Sequence, residues 1–199
     1  MPSATFLLSM ARRASGDSSL VLAALLRHGY AGRALLPIVD PAAAGAAFAA
    51  GVGARRVFRL GGAFDPARFP PVELEATVEL LSRGQFHLED WGNPVDAGPT
   101  AVLQAGRITL VVVSRPIFML DRSLYYAHGQ NPERFDLIVV KSPGAYKRFY
   151  TWARKNYNLD IAGSTSANLP TLGHRVCARP LYPLDADVPF TPRVDLYAP

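Results

Sequence analysis

Apolar and polar positions change period three times along the chain, and each change marks a different kind of element. Val21 with Leu25 and Leu22 with Leu26 recur at helical spacing, which predicts a helix over about 18–28. Asp17 or Ser18 stands where an N-cap is wanted, Arg27 and His28 fill the last turn, and Gly29 ends it. Ala34 to Val39 reads as a strand. Asp40 and Pro41 then supply an N-cap and a first helical residue for a small-residue helix over 42–50.

In the middle section the period falls to two. Val72, Leu74, Ala76, Val78 and Leu80 alternate with Glu73, Glu75, Thr77 and Glu79, a half-buried strand with one wet acidic face. Arg83-Gly84 predicts a turn into a partner strand around 86–89. Thr100 to Gln104 and Arg107 to Val113 form a second hairpin about Ala105-Gly106. Ile108 to Val113 is apolar without alternation, which predicts a strand buried on both faces. Beyond it, Asp121 caps a short helix ending at His128-Gly129, and Leu137 to Val140 is a buried strand. Ser142-Pro143 repeats the cap-and-proline device and opens a helix to about Lys155. After Tyr157 the chain reads as irregular, with a short strand at 175–179 and an extended, proline-rich tail over 186–199. The fold class is mixed α/β in a single domain, with βα units at both ends of a central antiparallel hairpin section.

Composition fits this reading. The chain has 199 residues, 49% of them hydrophobic and 19% charged, ample for one core and unlike a disordered segment. No apolar run approaches the ~20 residues that span a bilayer, so no membrane partner is expected. At the start, Phe6, Leu7 and Leu8 precede Arg12 and Arg13, the reverse of a secretory signal, and residues 1–15 are expected to be irregular. One cysteine, Cys177, excludes an internal disulfide framework and suits a reducing cytoplasm; its neighbours Val176 and Ala178 suggest an inert core position. The net charge is +5 and arginine dominates the basic residues, but charge alone speaks to association and not to fold.

Chemistry is sparse. Of the four histidines, His28, His87, His128 and His174, none forms an H-E-x-x-H pair or shares a helical turn with another. No G-x-S-x-G elbow, Walker loop or G-x-G-x-x-G is present. No catalytic residue and no metal ligand is therefore assigned. Two places suggest a ligand. Gly16-Asp17-Ser18-Ser19 opens a helix whose free amides suit an anion or a carbonyl oxygen. Lys141 and Ser142 stand at the carboxyl end of a strand, the edge where α/β folds gather ligands. Aromatic and basic residues interleave over 146–155, but an amphipathic helix explains them more simply than nucleic-acid binding.

At these same two places the chain resembles the C-terminal domain of MlrC-type (microcystinase-like, microcystin LR degradation) metallopeptidases. Gly16-Asp17-Ser18-Ser19 with Val21-Leu22-x-x-Leu25-Leu26 is similar to the opening of that domain. In order follow Leu36-Pro37-Ile38-Val39-Asp40-Pro41, Ala47-x-x-Ala50-Gly51-Val52-Gly53 and Gly98-Pro99-Thr100-Ala101-Val102-Leu103. Val113-Ser114-Arg115, Val139-Val140-Lys141-Ser142 and 179–185 complete the set, so the likeness runs over 16–185. It departs before Gly16, where an Asp-Asn-Pro lead is replaced by 8–15. It departs again after Ser142, where Pro143-Gly144 stands in place of a histidine and phenylalanine.

The resemblance implies that zinc and catalytic residues belong to an N-terminal domain, the expected partner of a truncated chain that is inactive alone. It makes Gly16, Asp17, Ser18, Arg115, Lys141 and Ser142 ligand or interface candidates, and it implies exposed apolar surface around the first helix. The alternatives are a stand-alone small-anion or ligand-binding module and, ranked last, a nucleic-acid-binding domain. Homo-oligomerisation is left open.

Overall fold

The computed structural model describes residues 6–10 (by their backbone), 16, 18–119, 121–141, 153, 155–159, 161, 176–189, 191–193 and 195. The centre of the fold is an eight-stranded mixed sheet. Its strands in chain order are β1 (Phe6–Met10), β2 (Ala34–Val39), β3 (Arg55–Leu60), β4 (Val72–Ser82), β7 (Thr100–Ala105), β8 (Ile108–Val113), β9 (Leu137–Val140) and β10 (Lys155–Leu159). Across the sheet the order is β10-β1-β9-β2-β8-β7-β4-β3. The first five run parallel, and β8, β7, β4 and β3 continue as an antiparallel meander. Two further strands, β5 (Gln85–His87) and β6 (Pro94–Asp96), form a separate ribbon.

Strict alternation splits the core into two layers. Ala34, Leu36 and Ile38 of β2, Leu110 and Val112 of β8, and Leu137 and Val139 of β9 face one side. There they meet Val21, Leu22 and Leu25 of α1 (Leu20–Arg27) and Ala43, Ala44 and Ala47 of α2 (Pro41–Ala50). Leu35, Val111, Ile138 and Val140 face the other side, against Leu124 and Tyr125 of α3 (Ser123–Ala127). Strands covered on both sides can be apolar at every position, as β9 is and as β8 is apart from Thr109. The alanines of α2 bring its axis close to the sheet, and Asp40 starts it by accepting the Ala43 amide at 2.9 Å.

Helix α1, strand β2, helix α2, the β7–β8 hairpin, buried β8, α3 and β9 lie where the sequence places them. Several expectations are corrected. Residues 6–10 are not irregular: they form β1, an interior strand between β9 and β10. The segment after Arg83-Gly84 does not pair back with β4. That strand lies between β3 and β7, so both its edges are taken, and β5 pairs with β6 instead. A bulge between Val78 and Leu80 also breaks the alternation. Beyond it Leu81 packs in the α1–α2 layer and Leu80 on the α3 side.

The expected helix over 142–155 lies almost wholly outside the described residues. Its last residue, Lys155, begins strand β10, which extends past Tyr157 where irregular chain was expected. Residues 176–179 form bends and no strand, and Cys177 is exposed, not a core thiol. Among the described residues no helix is long and apolar enough to cross a membrane.

Candidate functional site

The carboxyl ends of β1, β9, β2 and β8 lie along one edge of the sheet, and most of the candidate residues collect there. β9 and β2 pair only through Ala34–Leu137 and Leu35–Ile138, although both strands continue further. The loop carrying Gly16 closes this gap. Its carbonyl accepts the Val39 amide at 2.9 Å and the Lys141 ammonium at 2.7 Å. Lys141 Nζ also lies 3.5 Å from the Ser18 carbonyl. One main-chain oxygen thus joins the ends of two strands to the start of α1.

Gly16 is required at this point. Its φ is +79°, and a Cβ built there would lie 2.4 Å from Val39 Cγ2. Ser18 and Ser19 are buried. Ser19, the residue before α1, turns its hydroxyl away from the helix and donates to the Pro70 carbonyl at 2.7 Å. The expected cap from Ser18 is only a long contact, its Oγ 3.5 Å from the Leu20 amide.

Asp40 supports the same edge at the end of β2. It is buried, its second carboxylate oxygen accepts the Gly61 amide at 2.9 Å, and its own amide donates to Val113 at 2.8 Å. Arg115, beyond β8, is exposed and pairs with Asp96 of β6. The structure therefore brings Gly16, Ser18 and Lys141 together and places Arg115 further along the edge. Asp17 and Ser142 lie outside the described residues. The Lys141 ammonium thus links the end of β9 to the loop that starts α1.

A Ser–His contact with no signature in the sequence lies on the α3 side. Ser82 Oγ is 3.0 Å from His128 Nε2, and His128 Nδ1 is 2.6 Å from the Leu124 carbonyl. The carbonyl can only accept, so Nδ1 carries the proton, and the Ser82 hydroxyl donates to Nε2. The pair has the bonding of an activated serine. Yet His128 is 1% exposed, the Gly84 amide donates to Ser82 Oγ at 2.9 Å, and Phe86 lies edge-on to the imidazole. Burial lowers the His128 pKa from its ordinary value, against a smaller raising effect of the Leu124 bond. These contacts fasten α3 to β4.

Among the described residues, metal donors do not gather. His28 and His128 cap the C-termini of α1 and α3, His87 is exposed on β5, and His174 is outside the described residues. Among the described residues no three His, Cys, Asp or Glu side chains form a group able to hold a metal ion. The side chains described here do not fit a zinc centre.

The expected apolar surface on α1 reduces to Leu26. Trp91 and Phe118 are more exposed than Leu26. Trp91, at the tip of the β5–β6 ribbon, is 69% exposed, and Phe118, in the segment after β8, is 70% exposed. The ribbon tip is held beside α3 by the Asp90 amide on Asp121, the Glu89 amide on Ser123 Oγ, and the Glu89–Arg122 ion pair. Asp121 also accepts the Ser123 amide at 2.8 Å, so the expected helix cap doubles as the ribbon's anchor.

Comparison with known proteins decides the family. A family model described as MlrC C-terminus matches residues 14–176. The chain belongs to this family. The MlrC C-terminal domain seen here is also similar to a crystal structure of a candidate metallopeptidase from Mesorhizobium sp. BNC1, with 28% identity and a TM-score of 0.77. The likeness covers 93% of this chain and 39% of that protein, so the chain spans well under half of its neighbour's length. No curated protein matches the sequence.

Proposed function

We propose that this MlrC C-terminal domain is the non-catalytic half of a two-domain, metal-dependent hydrolase of the metallopeptidase type. The observation that carries the reading is the pair of exposed aromatics, Trp91 and Phe118, on a domain whose own described donors do not gather into a metal site. Isolated exposed apolar residues need no explanation. Trp91, however, stands on a ribbon tip anchored to the start of α3, and Phe118 on the segment between β8 and α3. Large aromatics so placed suit a protein–protein contact. The partner is the metal-binding N-terminal domain. Arg115 and the Gly16–Lys141 edge then act as scaffold for that contact and make no bond to substrate. With its one cysteine reduced, the domain works in the cytoplasm.

The test mixes this chain with the separately produced remainder of the Mesorhizobium protein. Titration calorimetry should give a one-to-one complex that Trp91→Ala and Phe118→Ala each weaken about tenfold, the usual effect of removing an interface aromatic. Peptide hydrolysis with added zinc should need both chains. Hydrolysis by this chain alone, or association indifferent to both substitutions, would overturn the reading. Self-association that the same substitutions abolish would make the face a homodimer contact and would also overturn it.

A further inference from the structure

At the opposite, amino edge of the sheet, three arginines from distant parts of the chain line one cleft. Arg33 precedes β2, Arg107 lies in the β7–β8 turn, and Arg134 ends the 3-10 turn Pro132–Arg134 before β9. The cleft encloses about 300 Å³, and Gln104, Thr109, Gln130 and Asn131 also line it. This is the lower end of the size range of small-molecule sites.

Little in the fold neutralises these cations. Asp136 accepts the Arg33 amide at 2.7 Å and lies 3.9 Å from its guanidinium. Arg107 spends one nitrogen on the Ala31 carbonyl at 3.0 Å. Among the described residues, neither Arg107 nor Arg134 has a carboxylate partner. Glu133, the adjacent acid, is not among the lining residues, and its charge acts on Arg122. The floor is already rigid: Thr109 Oγ1 donates to Gln104 Oε1 at 2.6 Å, and Gln104 Nε2 donates to the Gly106 carbonyl at 2.7 Å. One carboxylate against three guanidiniums leaves the cleft with an excess of two positive charges.

We propose that this cleft binds a small metabolite through an oxyanion group carrying two or more negative charges, with Arg107 and Arg134 as the principal donors. Guanidinium forks match the paired oxygens of both phosphoryl and carboxylate groups, and charge-assisted bonds of this kind are about twice as strong as neutral ones. The site lies at the edge of the sheet opposite the Gly16–Lys141 joint and does not depend on the two-domain reading.

Calorimetric titration of the full chain with pyrophosphate and, separately, with tricarballylate tests it, at low and constant ionic strength because exposed charges are screened by salt. Saturable one-to-one binding of either probe is expected, and the better probe assigns the ligand's oxyanion. R107A/R134A should weaken it by about tenfold or more, and the single variant R134A by several-fold. R55A, which removes an arginine paired with Glu75 on the outer face of the β3–β4 pair, should leave the affinity unchanged. Circular dichroism checks that each variant is folded. Absence of saturable binding for both probes, or equal loss in R55A and R134A, would overturn the proposal.

Discussion

The Lys141 ammonium donates to the Gly16 carbonyl at 2.7 Å, and through this bond the end of β9 holds the loop that leads into α1. The same oxygen accepts the Val39 amide, so one acceptor spans the gap where β9 and β2 cease to pair. Lys141→Met keeps the aliphatic stem and removes the donor. A hydrogen bond to a charged group contributes about 1.5–3 kcal/mol, and Lys141 is half-buried, so the expected loss is ~1–2 kcal/mol. A urea melt reads it as a lower midpoint with unchanged slope. An unchanged midpoint would show that the tie contributes nothing.

Gly16→Ala tests the other end of that tie. The substitution puts a Cβ against Val39 and asks an L-residue to hold φ +79°. The cost should be ~2–4 kcal/mol, the sum of steric overlap and backbone strain. Adding Val39→Ala should recover only the steric share. Full recovery by the double variant would mean that the backbone conformation carries no strain.

Tyr125 is wholly buried, and its hydroxyl donates to the Val139 carbonyl at 2.6 Å, beyond the point where β2 stops pairing with β9. Tyr125→Phe leaves a buried carbonyl short of this donor, and the expected loss is ~1–3 kcal/mol. Burial raises the Tyr125 pKa well above its ordinary value. The folded state therefore keeps the proton longer than the unfolded chain, and stability should fall as pH rises above about 10. That alkaline slope should be shallower in Tyr125→Phe, as thermal melts across alkaline pH would record.

His128 gives the acid counterpart. Its pKa is lowered by burial, so the unfolded chain takes up a proton first as pH falls. Its contribution is fully present above the unfolded pKa of about 6.5 and is lost as pH drops from there through the folded value. Melts between neutral and mildly acidic pH should show this decline. His128→Gln should flatten it at the cost of a lower melting temperature at neutral pH. A slope unchanged in His128→Gln would assign the decline to other groups.

On its own the sequence determined several features that are set by neighbours within a few residues. Helical spacing fixed α1, the Asp40-Pro41 pair fixed the start of α2, and Ala105-Gly106 marked the β7–β8 turn. Continuous apolar runs announced that β8 and β9 are covered on both sides. Two candidate groups, at Gly16–Ser18 and at Lys141, were legible because a loop before a helix and a residue ending a strand are local facts.

Tertiary structure decided what required distant segments to choose partners. β3 reads poorly because only Phe58 and Leu60 of its six residues face the core, while Arg55, Val57 and Arg59 are exposed on an edge strand. Arg83-Gly84 does interrupt the chain between β4 and β5, but both edges of β4 are already satisfied by β3 and β7, so the next strand had to pair elsewhere. Hydrogen bonds across a sheet carry no sequence identity, and local pattern therefore cannot name a strand's neighbour. For the same reason the Ser82–His128 contact and the cleft of Arg33, Arg107 and Arg134 exist only once the sheet has formed. The Lys141–Gly16 bond likewise needs the folded sheet, since pairing stops after Leu35–Ile138 and leaves the gap that the Gly16 carbonyl fills.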